Sequence, residues 1–296
     1  VSAAEDPRPL DAVLAVLDIE ASGPDSFVGG SLPQLHGRVY GGQVLAQAII
    51  AAQRTLEGEL SERLIHSLHG YFLRPGDLEA PITFAVERLR DGGSFSARRT
   101  HAIQDGKPIL SMIASFQEVQ EGTEHTETMP EVPAPEDLRS SVELFNSLDH
   151  PVAKFFYRNG AFDIRHTADS LFVAPAPDRR PTQALWMRAR APIPGGQAEH
   201  RAMLAFACDQ VMLEPVLRAH GVSWRTKGIS VASLDHAMWW HRDVDLSDWL
   251  LYVQDSPTAQ GGRGLGIARV FSRDGRLVAT IGQEGMIRLP AENPAP

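Results

Sequence analysis

The chain of 296 residues is 43% hydrophobic and 22% charged, enough apolar material for a sizeable core and no sign of wholesale disorder. Its formal net charge of −9 argues against a general nucleic-acid binder, while leaving room for an anionic small molecule met by a few arginines. A single cysteine, Cys208, excludes an intrachain disulfide and a cysteine-rich zinc site, and fits a reducing compartment.

The stretch "VSAAEDPRPLDAVLAVLDIE" lacks a basic region followed by a long apolar block, and no apolar run approaches the roughly 18 residues that span a bilayer. A soluble, cytoplasmic protein without a membrane span is expected. Next, "GGQVLAQAIIAAQRTL" carries a helical pattern and is followed by "HSLHGYFLRPGDL". Residues 82–86 alternate, with Ile82, Phe84 and Val86 on one face, as in an antiparallel strand covered on one side. The first half closes on "DGKPILSMIASFQE".

Composition then changes. From about 120 to 182 the chain opens polar, acidic and Pro-rich, "EGTEHTETMPEVPAPEDLRSS", and closes "APAPDRRP", as a connector does, with a short helix at "SVELFNSL". The expected division is an N-terminal unit over 1–120, a linker over 121–182 and a C-terminal unit over 183–296. That last unit repeats the first: helical "MLAFACDQVMLEPVLRAH", then "ASLDHAMWWHRDVDL", then strands ending "DGRLVATIGQEG". Its strand over 265–271 alternates through Leu265, Ile267, Arg269 and Phe271. Arg74 and Asp77 recur as Arg242 and Asp245, both 168 positions later, so the spacing indicates a duplication. Each half offers a helix covered by an antiparallel sheet, an α+β unit, with the two sheets joined edge to edge.

Several residue types invite chemistry. Ala202, Phe206, Asp209, Leu213 and Val216 share one helical face, an apolar stripe with a carboxylate at its centre. Asp209 must therefore be hydrogen-bonded or line a cavity, or sit at the stripe's edge in water. Gly41 and Gly42 stand near its place in the first half. Ser233 has no Gly-x-Ser-x-Gly turn around it, which removes support for a nucleophile elbow. Asp235 and His236 are strand neighbours on opposite faces and form a poor acid–base pair. His236 and His241 are five apart with no third ligand nearby, and His66 and His69 have a helical ligand spacing that fails on a strand. "GGRGLG" at 261–266 does not have dinucleotide-loop spacing. Trp239, Trp240, Tyr71 and Phe72 are core or interface aromatics, and Cys208 reads as a buried structural thiol.

Taken in order, "SLHGYFLRPGDL", "RDGGSFSARR", "IQDGKPILSMIASFQ", "SLDHAMWWHRD" and "GQEGMIR" resemble the type II acyl-CoA thioesterases over roughly residues 10 to 290. The resemblance implies a double hotdog fold, two helix-wrapped antiparallel units fused in one chain. It implies hydrolysis of fatty acyl-CoA to free fatty acid and CoA by a water held between an Asp, a Ser or Thr, and a Gln. These fall on Asp209 in "FACDQVML", Ser233 in "ASLDH" and Gln283 in "GQEG". A thioester is electrophilic enough for a positioned water, with Asp209 as general base and Ser233 and Gln283 orienting it.

No cofactor or metal is expected. Arg263 is the candidate for the CoA phosphates, since guanidinium forks bind phosphate oxygens. A homo-oligomer assembled through the sheets is expected as well. Two other readings stay open on the residues alone: a hotdog-fold enoyl-CoA hydratase using Asp235 and His236, and a non-catalytic acyl-CoA binding protein.

Overall fold

The computed structural model describes residues 8–35 and 37–289. Helix α1 (Pro9–Leu17) leads into strands β1 (Glu20–Gly23) and β2 (Ser26–Gly29), then helix α2 (Gly41–Gln53). Strands β3 (Leu64–Phe72), β4 (Ile82–Asp91), β5 (Phe95–Gln104) and β6 (Lys107–Gln117) complete the first half. The segment read as a connector holds more order than its composition suggests. It contains helices α3 (Ser141–Ser147) and α4 (Pro151–Asn159) and strand β7 (Phe162–His166), which pairs with β8 (Thr182–Ala189). Helices α5 (Gln197–Cys208) and α6 (Glu214–Ala219) follow, then strands β9 (Ser230–Ser233), β10 (Asp235–Trp240), β11 (Leu250–Gln260), β12 (Arg263–Ser272) and β13 (Leu277–Arg288).

The strands form one antiparallel sheet in the order β1-β2-β4-β5-β6-β3-β10-β13-β12-β11-β8-β7, with β9 beside β13. Read from either end, the order is the same pattern, so the sequence repeat is a structural one. The halves meet where β3 pairs with β10, and His69 lies directly opposite Ala237, its own counterpart 168 positions on. A local two-fold axis therefore passes through this ladder. Backbone detail repeats too. The amides of Leu73 and Arg74 share the Ile109 carbonyl, and those of His241 and Arg242 share the Val278 carbonyl. Arg74 Nη1 donates to Pro108 O at 2.7 Å, and Arg242 Nη1 to Leu277 O at 3.0 Å.

Helix α2 is buried on nearly every side, which suits its run of alanines and aliphatics: it packs on β3–β6 with one face and on α5 with the other. Helix α6 takes the matching place over β8, β11 and β12. One apolar cluster runs from Leu45 and Ile49 of α2 through Ala202 and Ala205 of α5 to Met238 and Ile281, so the two halves share a core. Each large side chain in it contributes roughly 1.5–3 kcal/mol by leaving water.

Candidate active site

The single helix expected over 202–219 is broken in the middle. Helix α5 ends at Cys208, and Asp209 is its C-cap, with φ −58° and ψ −18°. Tight turns follow, closed by Gln210 N–H to Ala207 O and Val211 N–H to Cys208 O. Pro215 lies in the first turn of α6 and has no N–H to give Val211, so the ladder cannot run through. Ala202, Phe206, Leu213 and Val216 are all buried, as the stripe requires, but on two helices rather than one.

This break turns the Asp209 carboxylate toward the junction of the two halves. Its Oδ1 accepts from Ser233 Oγ at 3.0 Å and from Gln283 Nε2 at 2.6 Å, and Gln283 Nε2 also lies 2.6 Å from Ser233 Oγ. Oδ2 accepts the Gly42 backbone N–H at 2.8 Å. Gln283 is buried, while Asp209 and Ser233 are half-buried. The structure thus brings together the three residues proposed from sequence.

Two features that place them are backbone features. Gly42 opens α2, so its amide is one of the helix's unpaired first-turn donors, and the positive end of that helix faces the carboxylate. Gly41 is the counterpart of Asp209 at 168 positions. A Cβ there would stand 2.9 Å from Asp209 Oδ2, and one at Gly42 would stand 2.5 Å from the Phe206 carbonyl oxygen. Only glycine lets the helix start come this close. Tyr40, just ahead, fastens the same approach by donating to Phe206 O at 2.7 Å.

The second feature is a β-bulge at Leu234. On β10, Ala237 pairs with Gly282, yet on β9 Ser233 pairs with Gly285, one residue out of step. His236, Met238 and Trp240 face the core; the extra residue flips the alternation so that Ser233 faces it as well. Asp235 clamps the bulge, its Oδ1 accepting the Glu284 N–H at 2.8 Å. The first half has a matching irregularity between Ile65 and Ser67 of β3. There, however, Gly41, Ile65 and Ala114 occupy the places of Asp209, Ser233 and Gln283, and none can activate water.

Other candidates fall elsewhere. Asp235 is spent on the bulge and does not converge with the inward-facing His236, as a hydratase pair would need to. His66 bonds Ser115, His241 bonds Thr280, and His69 meets Trp239 edge-on. Among the described residues no group of three His, Cys, Asp or Glu is placed to hold a metal.

Arg263 is not drawn into the triad. It pairs with Met286 on the face of β12 and β13 opposite Gln283, and its Nε donates to Glu284 Oε1 at 2.9 Å. The glycines around it have structural duties. Gly261 and Gly262, at φ 59° and 76°, make the two-residue hairpin turn, and Val216 fills the space beside Gly264. Two surface clefts, of about 610 and 580 Å³, lie at Arg242–Val278 and Arg139–Pro177 and include no triad residue.

Comparison with known proteins identifies the family and the fold. Residues 30–117 match the family model for the acyl-CoA thioesterase N-terminal domain, and residues 126–287 that for the C-terminal domain. The chain is 35% identical over 285 residues to "Acyl-CoA thioesterase 2" of Haemophilus influenzae, covering 94% of this chain and 98% of that relative. It is 36% identical over 288 residues to human "Acyl-coenzyme A thioesterase 8", covering 94% and 89%. The crystal structure of an acyl-CoA thioesterase II, TesB2, from Mycobacterium marinum superposes with a TM-score of 0.78 at 37% identity, over 95% of this chain and 100% of that one. A hot dog fold protein from Alicyclobacillus acidocaldarius, 22% identical, superposes at 0.77 over 95% and 99%, and supports the fold alone. The fold is a double hotdog, and the chain belongs to the acyl-CoA thioesterase family.

Proposed function

We propose that this protein hydrolyses fatty acyl-CoA to a free fatty acid and CoA through a water activated by Asp209. The observation that carries the reading is the convergence of Ser233 Oγ and Gln283 Nε2 on one oxygen of a carboxylate whose other oxygen is pinned by Gly42 N–H. A water seated among the three exchanges their mutual bonds for bonds to itself. Asp209 takes its proton as the oxygen attacks the thioester carbonyl, and Ser233 and Gln283 fix the line of attack. The free N–H groups in the first turn of α2 supply positive potential for the developing oxyanion. Collapse of the tetrahedral intermediate breaks the C–S bond, and the proton leaves with the CoA sulfur. No histidine hydrogen-bonds the Ser233 hydroxyl among the described residues, so a serine acyl-enzyme lacks its base.

Release of free thiol from acyl-CoAs of graded chain length tests the activity directly. Stoichiometric binding without thiol release would convert the protein into a sensor. Ser233→Ala and Gln283→Ala are each expected to lower kcat about tenfold or more, and Ser233→Thr to remain active. Wild-type kcat in both alanine variants would remove the triad.

Arg263 remains our candidate for the CoA phosphates. Its side chain is 54% exposed, and one bond to Glu284 leaves most of its five N–H donors free. The nucleotide end of the substrate would then lie over the 261–262 hairpin. Arg263→Ala should raise KM for acyl-CoA several-fold with little change in kcat, and less so for an acyl-pantetheine that lacks the nucleotide. Equal effects on both substrates would leave Arg263 as a partner of Glu284 only.

We further infer a homo-oligomer. Tyr71, Ile113 and Trp239, 60%, 44% and 38% exposed, share the outer face of the sheet around the local two-fold axis. That is a self-complementary place for a second copy to bury apolar surface. Light scattering should give a mass at least twice 32.4 kDa at micromolar concentration, and a monomer only would overturn the assignment. No described helix is long and apolar enough to cross a membrane. A lone, buried Cys208 fits work in a reducing, cytoplasmic setting.

A further inference from the structure

The proposed triad explains one end of the Gln283 amide and leaves the other end unaccounted for. Nε2 is engaged by Asp209 and Ser233, whereas Oε1 is buried without a well-aligned partner. The same holds for His236 Nδ1, on a side chain only 1% exposed. Ala237 pairs with Gly282, and in that register His236 and Gln283, both buried, are cross-strand neighbours on the core face of β10 and β13. Buried polar atoms seldom stay unpaired in a folded core, and here an acceptor and a ring nitrogen on neighbouring strands are both left over.

We propose that His236 is a positioning residue for the hydrolysis: its Nδ1–H holds Gln283 Oε1 and so aims Gln283 Nε2 at Asp209 and Ser233. This inference rests on the triad reading above. Three constraints lead to it. First, the amide cannot be turned over, because Oε1 would then face Asp209 Oδ1, acceptor against acceptor, at 2.6 Å. Second, with Oε1 on the inner side, the ring nitrogen that meets it must carry a proton. Third, the other ring nitrogen has its own neighbour: Nε2 lies 3.3 Å from Cys208 Sγ, which also lies 3.4 Å from Ala205 O.

Burial, and after it the Asp209 charge, pushes the Cys208 thiol well above its ordinary range, so it keeps an S–H to offer. Burial likewise pushes the His236 imidazole below its usual value, against the pull of Asp209 and Asp235, the carboxylates near it. A neutral ring has one proton for two nitrogens. The acceptor Oε1 draws that proton to Nδ1, which leaves Nε2 to take the single S–H of Cys208 in place of Ala205 O. The result is a directional chain: Cys208 S–H to His236 Nε2, His236 Nδ1–H to Gln283 Oε1, Gln283 Nε2–H to Asp209 Oδ1. The bulge at Leu234 makes it possible, because it lets Ser233 and His236 both face inward only three residues apart.

The test has two arms. In the wild-type protein, long-range ¹⁵N–¹H correlation spectra should show His236 as the neutral Nδ1–H tautomer, identified by loss of its signals in His236→Asn. An Nε2–H tautomer would overturn the proposal even if activity behaved as expected. In kinetics, His236→Leu should lower kcat about tenfold to a hundredfold, the scale of a misaimed reactive group, with KM within about twofold. His236→Asn, whose amide nitrogen can stand where Nδ1 stood, should recover most of that loss.

The deciding measurement is the pair. In a Gln283→Ala background, His236→Leu should cost nothing further in kcat, since there is no amide left to aim. A full additive loss would mean that His236 acts by packing alone. Gln283→Ala with wild-type kcat would instead sink the triad reading itself, a different and distinguishable failure. Thermal melts of each variant show which of them fold, and the tautomer itself is read in the wild-type protein.

Discussion

Asp209→Asn should lower kcat by about 10²–10⁴-fold, the range usually lost with a positioned general base. The substitution is isosteric, so the effect on activity comes from chemistry rather than from lost volume. It also carries a cost in stability. Asp209 is an acceptor on both oxygens, toward Ser233 and Gln283 on one side and Gly42 N–H on the other. An Asn must turn its NH₂ toward one of these donor sets, leaving donors opposed at a half-buried site. Such a mismatch costs about 1–3 kcal/mol. Thiol release and a thermal melt read the two effects separately. Retention of more than about a tenth of wild-type kcat would refute the base assignment, and an unchanged melting temperature would argue that the Gly42 contact is weak.

Gly266→Ala should be among the most damaging single-methyl changes in the protein. A Cβ at this position would lie 2.0 Å from the Met212 carbonyl oxygen and 3.1 Å from its carbon. The obstacle is backbone, so no rotamer change relieves it, and overpacking of this kind typically costs 1–3 kcal/mol or more. Met212 belongs to the turn that follows Asp209, and Gly266 lies directly opposite Gln283. Pushing the turn away therefore loosens the carboxylate from its partner in the same step. A lowered melting temperature together with a lowered kcat is expected. Gly282→Ala is the control: on the neighbouring strand, with nothing within 4 Å of its Cβ, it should be close to neutral in both. Equal tolerance of the two substitutions would mean that the turn is not braced against the sheet.

Side-chain patterns made much of this molecule legible. The strand at 82–86, the helix opening at Gly41 and the repeat at 168 positions all have direct counterparts in the structure, because alternation and helical spacing record which face is buried. Periodicity singles out Asp209, but its grouping with Ser233 and Gln283 comes from resemblance, and the structure brings the three together. Four things were hidden, each for a physical reason. The apolar stripe continues through Asp209 to Val216, so spacing alone suggested one helix, although Pro215 interrupts the hydrogen-bond ladder. The bulge at Leu234 leaves no mark on "SLDHAMWW", since it is defined by the register of β13, some 50 residues away. The Gly42 amide that pins Asp209 is backbone and belongs to no pattern. The strand β7 was masked differently: short and set in Pro-rich, polar surroundings, it reads as connector until β8 is there to pair with.

The contact between Gly42 and Asp209 also makes the site a property of assembly. Asp209, Ser233 and Gln283 come from the second half, but the backbone donor that holds Asp209 comes from the first. Neither half can own a finished site, so activity must obey mass action between them. Supplied as two separate fragments, cut in the exposed stretch around 120–128, they should be inactive when dilute and regain turnover as their concentrations rise. The covalent connection replaces that concentration dependence with a fixed effective molarity. Duplication here did more than double a unit. One copy carries none of the three side chains, while its helix is the counterpart on which the other copy's carboxylate depends.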